Sequence, residues 1–219
     1  NKNRDIWIKG INMNIKNNLA NIISIGRVFV AYAAIALLYV RTTWAYILAF
    51  VLTIIAFALD GLDGYVARKL NQSSEWGSVL DILGDRIVEV SYWTVFAVMG
   101  WISIIFPLVC VARAFTTDGI RSVALSKGMT AFGEKSMQTT AWGKFICSSK
   151  FMRISYAVAK VLAFMLLIVV NTPGMELWNG TPALHIVTMI FAWAAIIFCV
   201  VRAIPVVAES GKLFNNEQA

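Results

Sequence analysis

Between Asp60 and Asp85 the sequence reads DGLDGYVARKLNQSSEWGSVLDILGD, and both flanks are strongly apolar. Four carboxylates stand at the two ends, as Asp60-x-x-Asp63 and Asp81-x-x-x-Asp85. Spacings of three and four put side chains on one helical face, so each pair offers two carboxylates side by side. A fold built from this chain must hold four acids at or near a membrane edge, where ionisable groups are costly and mark a function. Converging hard oxygen donors suit Mg²⁺, Mn²⁺ or Ca²⁺ rather than a soft metal. Two such pairs on adjacent helices can hold two divalent ions and clamp a pyrophosphate for an in-line displacement. Gly64, Ala67 and Gly77 let a ligand approach the backbone, and Arg68 supplies a planar phosphate donor.

The flanks decide the fold class. Of 219 residues, 59% are hydrophobic and only 14% charged, whereas a soluble domain runs nearer half apolar and a quarter charged. This composition predicts an all-α integral membrane protein with no room for a separate soluble domain. The net charge of +7 is spread through loops between apolar runs. An anionic lipid surface and phosphorylated substrates account for it better than nucleic acid does. Cys110, Cys147 and Cys199 show no metal spacing and are odd in number, which argues against a disulfide framework. The single His185 borders an apolar run and reads as a packing or capping residue.

Six apolar runs approach the length a bilayer requires. They cover roughly 22–40, 44–59, 88–106, 107–125, 154–170 and 183–201. The second is expected to continue as helix to Arg68, and the third to begin near Gly77 with its acids in the early turns. Pro107 suits the opening of the fourth. Residues 1–20 mix basic and apolar side chains and read as an interfacial segment or a flexible tail. Residues 21–208 form the membrane domain and 209–219 a polar tail, while 126–153 read as a long basic loop. With the N-terminus inside, the inner segments hold most of the Lys and Arg, and the outer loops contain only Arg41. That positive-inside pattern predicts both termini in the cytoplasm and places the aspartates at the cytoplasmic face of the cell membrane.

The motif D-x2-D-G-x2-A-R-x8-G-x3-D-x3-D resembles the signature of the CDP-alcohol phosphotransferases, integral membrane enzymes of phospholipid synthesis. Asp60, Asp63, Gly64, Ala67, Arg68, Gly77, Asp81 and Asp85 occupy its eight fixed positions. The resemblance implies a CDP-linked lipid, usually CDP-diacylglycerol, as donor, with CMP leaving. It implies two divalent ions, Mg²⁺ or Mn²⁺, on Asp60, Asp63, Asp81 and Asp85. Asp85 would also take the proton from the attacking alcohol, and Asp60, Gly64, Ala67, Arg68 and Gly77 would bind the CDP group.

Ala112 to Arg121 is similar to the A-R-E-x-x-x-(S/T)-G-(L/I)-R segment of phosphatidylglycerophosphate synthases, with Ala114 in place of Glu and Asp118 in place of a hydroxyl residue. This implies sn-glycerol 3-phosphate as acceptor, with Arg113 and Arg121 on its phosphate. Lys135 and Lys144 of the basic loop join them. So does Arg27, from a run Asn18 to Arg27 that is similar to the family's N-P-N-x-(L/I)-(S/T)-x-x-R entry, with Ala20 at the Pro position. A homodimer is expected. Competing readings are the same transfer to serine or an inositol phosphate, a cation transporter lined by the acids, and a non-catalytic membrane scaffold. A transporter would place its site nearer the midplane on broken helices.

Overall fold

The computed structural model of the chain describes residues 19–69, 75–126, 140–175 and 181–215. Every regular element among them is helical: α1 (Leu19–Leu38), α2 (Thr43–Lys69), α3 (Glu75–Val98), α4 (Ile105–Ser126), α5 (Ala141–Ser148), α6 (Lys150–Val170) and α7 (Pro182–Asn215). The expected N-terminal segment, 1–20, lies outside the described residues apart from Leu19 and Ala20 at the start of α1. Among the described residues, four helices are long and apolar enough to cross a membrane, over Asn21–Leu38, Thr43–Leu62, Lys150–Val170 and Pro182–Gly211. The expected third and fourth spans do not reach that standard. Asp81, Asp85, Arg86 and Glu89 dilute α3, and Arg113, Asp118 and Arg121 dilute α4.

By internal contacts the chain divides into two units, Asn1–Glu89 and Val90–Ala219. The first is built on the antiparallel pairing of α1 with α2. One stripe of α1 is buried (Ser24, Arg27, Ala31, Ala34, Ile35, Leu38), as is one stripe of α2 (Ala45, Tyr46, Ala49, Thr53, Ala56). Both recur at three- and four-residue steps, as one helical face requires. The alanines matter because lipid is as apolar as leucine, so helices associate there by close backbone packing. Thr53, fully buried, donates its hydroxyl to the Ala49 carbonyl at 2.7 Å, so that hydroxyl is satisfied within the apolar seam. Arg41 turns the chain between the helices with φ 56°. Thr42 then caps α2 by accepting the Ala45 N–H at 3.4 Å.

In the second unit α7 packs against α4, α5 and α6. Aromatic rings knit its interior. Phe164 of α6 meets Tyr92, Trp93 and Phe96 with centroids 5.0, 4.7 and 5.5 Å away. Phe106 of α4 bridges Trp93 at 5.5 Å and Trp193 of α7 at 4.9 Å. Offset and edge-on pairs at these distances add to what burial alone supplies.

Three boundaries differ from the sequence expectation. The apolar run taken to continue to about Phe106 stops as helix at Val98, because Gly100 adopts φ 77°. The Trp101 N–H then bonds the Phe96 carbonyl at 2.9 Å, and the Gly100 N–H that of Ala97 at 3.0 Å. This is a Schellman closure, completed by the Trp101 ring stacked on Phe96 at 5.2 Å. Within the expected basic loop lies α5, started by Thr140, whose Oγ accepts the Gly143 N–H at 3.3 Å. Finally, α7 does not end near Val201 but runs on through a buried Pro205 to Asn215. The first residues of the expected polar tail are therefore helical.

Candidate functional site

The packing stripes of the first unit explain how its charged residues meet. Arg27 occupies the turn before Ala31 on the buried stripe of α1, and Asp60 the turn after Ala56 on that of α2. Antiparallel pairing brings these two ends together. Asp81 and Asp85, one turn apart on α3, complete the group. Carboxylate oxygens of Asp60, Asp81 and Asp85 lie within 4.8 Å of one another. The three acids are half exposed, while the Arg27 side chain is 3% exposed. Arg27 Nη1 pairs with Asp60 and, at 3.1 Å, with Asp85 Oδ1. Its Nη2 donates to both the carboxylate and the main-chain carbonyl of Asp81, each at 2.9 Å.

This donor set fits a hard divalent ion. Three carboxylates from two helices converge at ligand spacing, and a cation, the guanidinium, already sits among them. Asp63, Gly64, Ala67 and Arg68 continue the same helix, since α2 runs to Lys69, but their side chains lie outside the described residues. Gly77 falls in the opening turns of α3.

Arg27 was expected with the acceptor-phosphate residues, yet its recorded partners are the aspartates. The other members of that set belong to the second unit. Arg113 is buried in α4 with its Nε lacking a hydrogen-bond partner. Arg121, two turns on, pairs with Asp118 at 3.9 Å. Arg202 of α7 lies within electrostatic reach of both and carries its guanidinium 5.6 Å over the Tyr156 ring. Its Nε too is buried without a partner. Along the sequence Arg202 merely follows the apolar run 183–201, as a charge that ends a span. The available signal was its seven-residue spacing from Glu209, which puts both on one face of α7. Lys144 lies exposed on α5, and Lys135 is outside the described residues.

α5 is fixed to α7 at two points. The Thr140 hydroxyl donates to Glu209, a carboxylate only 4% exposed. Cys147 donates its thiol to the Arg202 carbonyl at 3.5 Å, in the turn loosened by Pro205. Gly143 has no room for a side chain, because a Cβ there would collide with Glu209 Oε1 and stand 2.8 Å from Thr140 Oγ1. Burial pushes the Cys147 thiol pKa up, an effect opposed by the positive charge of Arg121 and Arg202 and reinforced by Glu209.

These two groups can do complementary chemistry. Clustered carboxylates hold cations and accept protons, while clustered guanidiniums with open donors bind phosphate. The comparisons with known proteins point the same way. The family model described as CDP-alcohol phosphatidyltransferase matches residues 17–205. A Pseudomonas fluorescens protein named CDP-diacylglycerol–glycerol-3-phosphate 3-phosphatidyltransferase is 26% identical over 74% of this chain and 86% of its own length. Proteins of the same name from Rickettsia prowazekii and Bacillus subtilis are 30% and 27% identical over about half of this chain. Those two matches span 60% and 56% of the relatives' lengths. With the family model covering most of the sequence and its acidic motif gathered on two helices, the chain belongs to the CDP-alcohol phosphatidyltransferase family.

Proposed function

We propose that the protein transfers a phosphatidyl group from CDP-diacylglycerol to sn-glycerol 3-phosphate, releasing CMP. The observation that carries this reading is the convergence of Asp60, Asp81 and Asp85 within a chain whose relatives bear that activity in their names. The acceptor hydroxyl oxygen forms a bond to the phosphatidyl phosphorus. The bond from that phosphorus to the CMP oxygen breaks, and CMP leaves with the electron pair. Asp85 accepts the hydroxyl proton, and its half-exposed carboxylate gives that proton a route to solvent. Mg²⁺ or Mn²⁺ held by Asp60, Asp63, Asp81 and Asp85 would neutralise the diphosphate and make CMP a better leaving group. Gly64, Ala67, Arg68 and Gly77 are assigned to the CDP moiety. Arg113, Arg121 and Arg202 are assigned to the acceptor's phosphate, with Lys144 and Lys135 contributing charge.

In this reading α3 and α4 cross the membrane as well, giving six spans with both termini and the aspartates on the cytoplasmic side. Their charges are then tolerated because they serve a ligand site. The test is CMP release by purified protein from CDP-diacylglycerol, with glycerol 3-phosphate, serine or inositol phosphate as acceptor, with and without Mg²⁺. Phosphatidylglycerophosphate formation that requires both Mg²⁺ and glycerol 3-phosphate is the expected result. Equal CMP release with every acceptor would overturn the acceptor assignment, and full activity in EDTA the metal assignment.

A further inference from the structure

Arg27 occupies the one place where its charge competes with the function proposed for its neighbours. Its guanidinium holds Asp60, Asp81 and Asp85 at once, through both terminal nitrogens. The main-chain carbonyl of Asp81 holds it in turn. Gly84, between the two α3 acids, leaves the space it fills, since a Cβ there would stand 3.0 Å from Nη2 and 3.4 Å from Nε. The carboxylates that would ligate a divalent ion are thus the ones that accept the Arg27 N–H groups. An ion entering this cluster must draw those carboxylates off a guanidinium that is almost fully buried.

We propose that Arg27 is a resident counter-cation that competes with divalent ions for Asp60, Asp81 and Asp85, and so sets the metal affinity of the site. The proposal rests on the reading of those aspartates as metal ligands. With Arg27 paired, the cluster carries less net negative charge and attracts an ion less strongly. The same pairing keeps three acids from repelling one another until an ion arrives. Arg27 is on this account a positioning residue, acting through the carboxylates.

The sign of one measurement separates this role from a merely structural one. If Arg27 only pre-arranges the acids, removing it weakens metal binding. If it competes, removing it tightens binding. The experiment titrates Mn²⁺ into purified protein in detergent without nucleotide, following free Mn²⁺ by electron paramagnetic resonance, for wild type, Arg27→Gln, Arg27→Lys and Asp81→Asn. Arg27→Gln should bind Mn²⁺ about tenfold more tightly or better, the scale of a unit charge removed a few ångströms away. Arg27→Lys keeps the charge but loses the fork that spans two acids, and should tighten binding about threefold. This variant decides the matter if Arg27→Gln does not fold. Mn²⁺ affinity unchanged or weakened in the folded Arg27 variants overturns the competition. If Asp81→Asn binds Mn²⁺ as wild type does, the metal-site reading itself has failed, and the competition with it.

Discussion

The first unit gathers three acids around one arginine, and the second sets Arg113 and Arg121 within electrostatic reach of Arg202. The acids are satisfied from within, because Arg27 reaches all three. The arginines are not. Asp118 pairs with Arg121 and Glu209 is engaged by Thr140, yet Arg113 and Arg202 each keep a buried Nε without a partner. A buried donor left unmade costs about 1–3 kcal/mol, a cost consistent with the proposed role of these arginines in binding the acceptor's phosphate. On the proposed function, one region is a closed charge system that a cation would open, and the other an open one that an anion would complete.

The largest expected effect tests the acidic side. Asp85→Asn should lower turnover by roughly 10²–10⁴-fold, the scale of a lost general base, with little change in CDP-diacylglycerol affinity. Rapid-quench turnover measured beside donor binding checks it. Binding that collapses in step with rate would make Asp85 a ligand and nothing more.

On the basic side, Arg113→Lys, Arg121→Lys and Arg202→Lys keep the charge and lose the fork. Each should raise KM for glycerol 3-phosphate by about ten- to a hundredfold, as for a lost charged hydrogen bond. KM for CDP-diacylglycerol should stay nearly constant. Steady-state kinetics with both substrates varied gives the answer, and equal damage to both would erase the contrast between the two regions.

A smaller effect is expected where α5 is fastened. Gly143→Ala forces the Glu209 carboxylate aside and should destabilise the second unit by about 1–3 kcal/mol, the usual result of overpacking. Thermal unfolding followed by circular dichroism would show it. Mn²⁺ affinity at the aspartates should not change.

The smallest effect sharpens the electrostatic picture. Cys147 is buried and its pKa is raised, so at neutral pH it should stay a thiol. Maleimide should label it more slowly than the same thiol in the denatured chain, since thiolate is the reactive form. Labelling should quicken as pH rises beyond the range of an ordinary thiol. Fast labelling at pH 7 would mean that the arginines outweigh burial.

The acidic side was largely legible in the sequence because its residues are close together along the chain. Asp60, Asp81 and Asp85 fall within one motif, and helical spacing alone puts Asp81 beside Asp85. Arg27 is different. Its link to the acids depends on the antiparallel register of α1 and α2, which buried alanines set and no local pattern announces. Arg202 was missed for the same reason, since α4 and α7 meet only in three dimensions. The short α5 hid because its eight residues, AWGKFICS, are too few for a helical period to stand out from the polar stretch around them. The end of α3 was readable in principle, as Gly100 before an aromatic residue is a helix stop. The apolar residues on both sides masked it.

Phe164 has a consequence for how the protein is made. Its ring is the partner of Tyr92, Trp93 and Phe96, all buried in the finished protein. It leaves the ribosome about seventy residues after them, on the order of several seconds later at roughly 5–20 residues per second. Through that interval the aromatic face of α3 lacks Phe164 and has only Trp101 and Phe106 as ring partners among those described. The nascent protein is then most exposed to mispairing with other apolar surfaces, and the arrival of α6 ends that exposure.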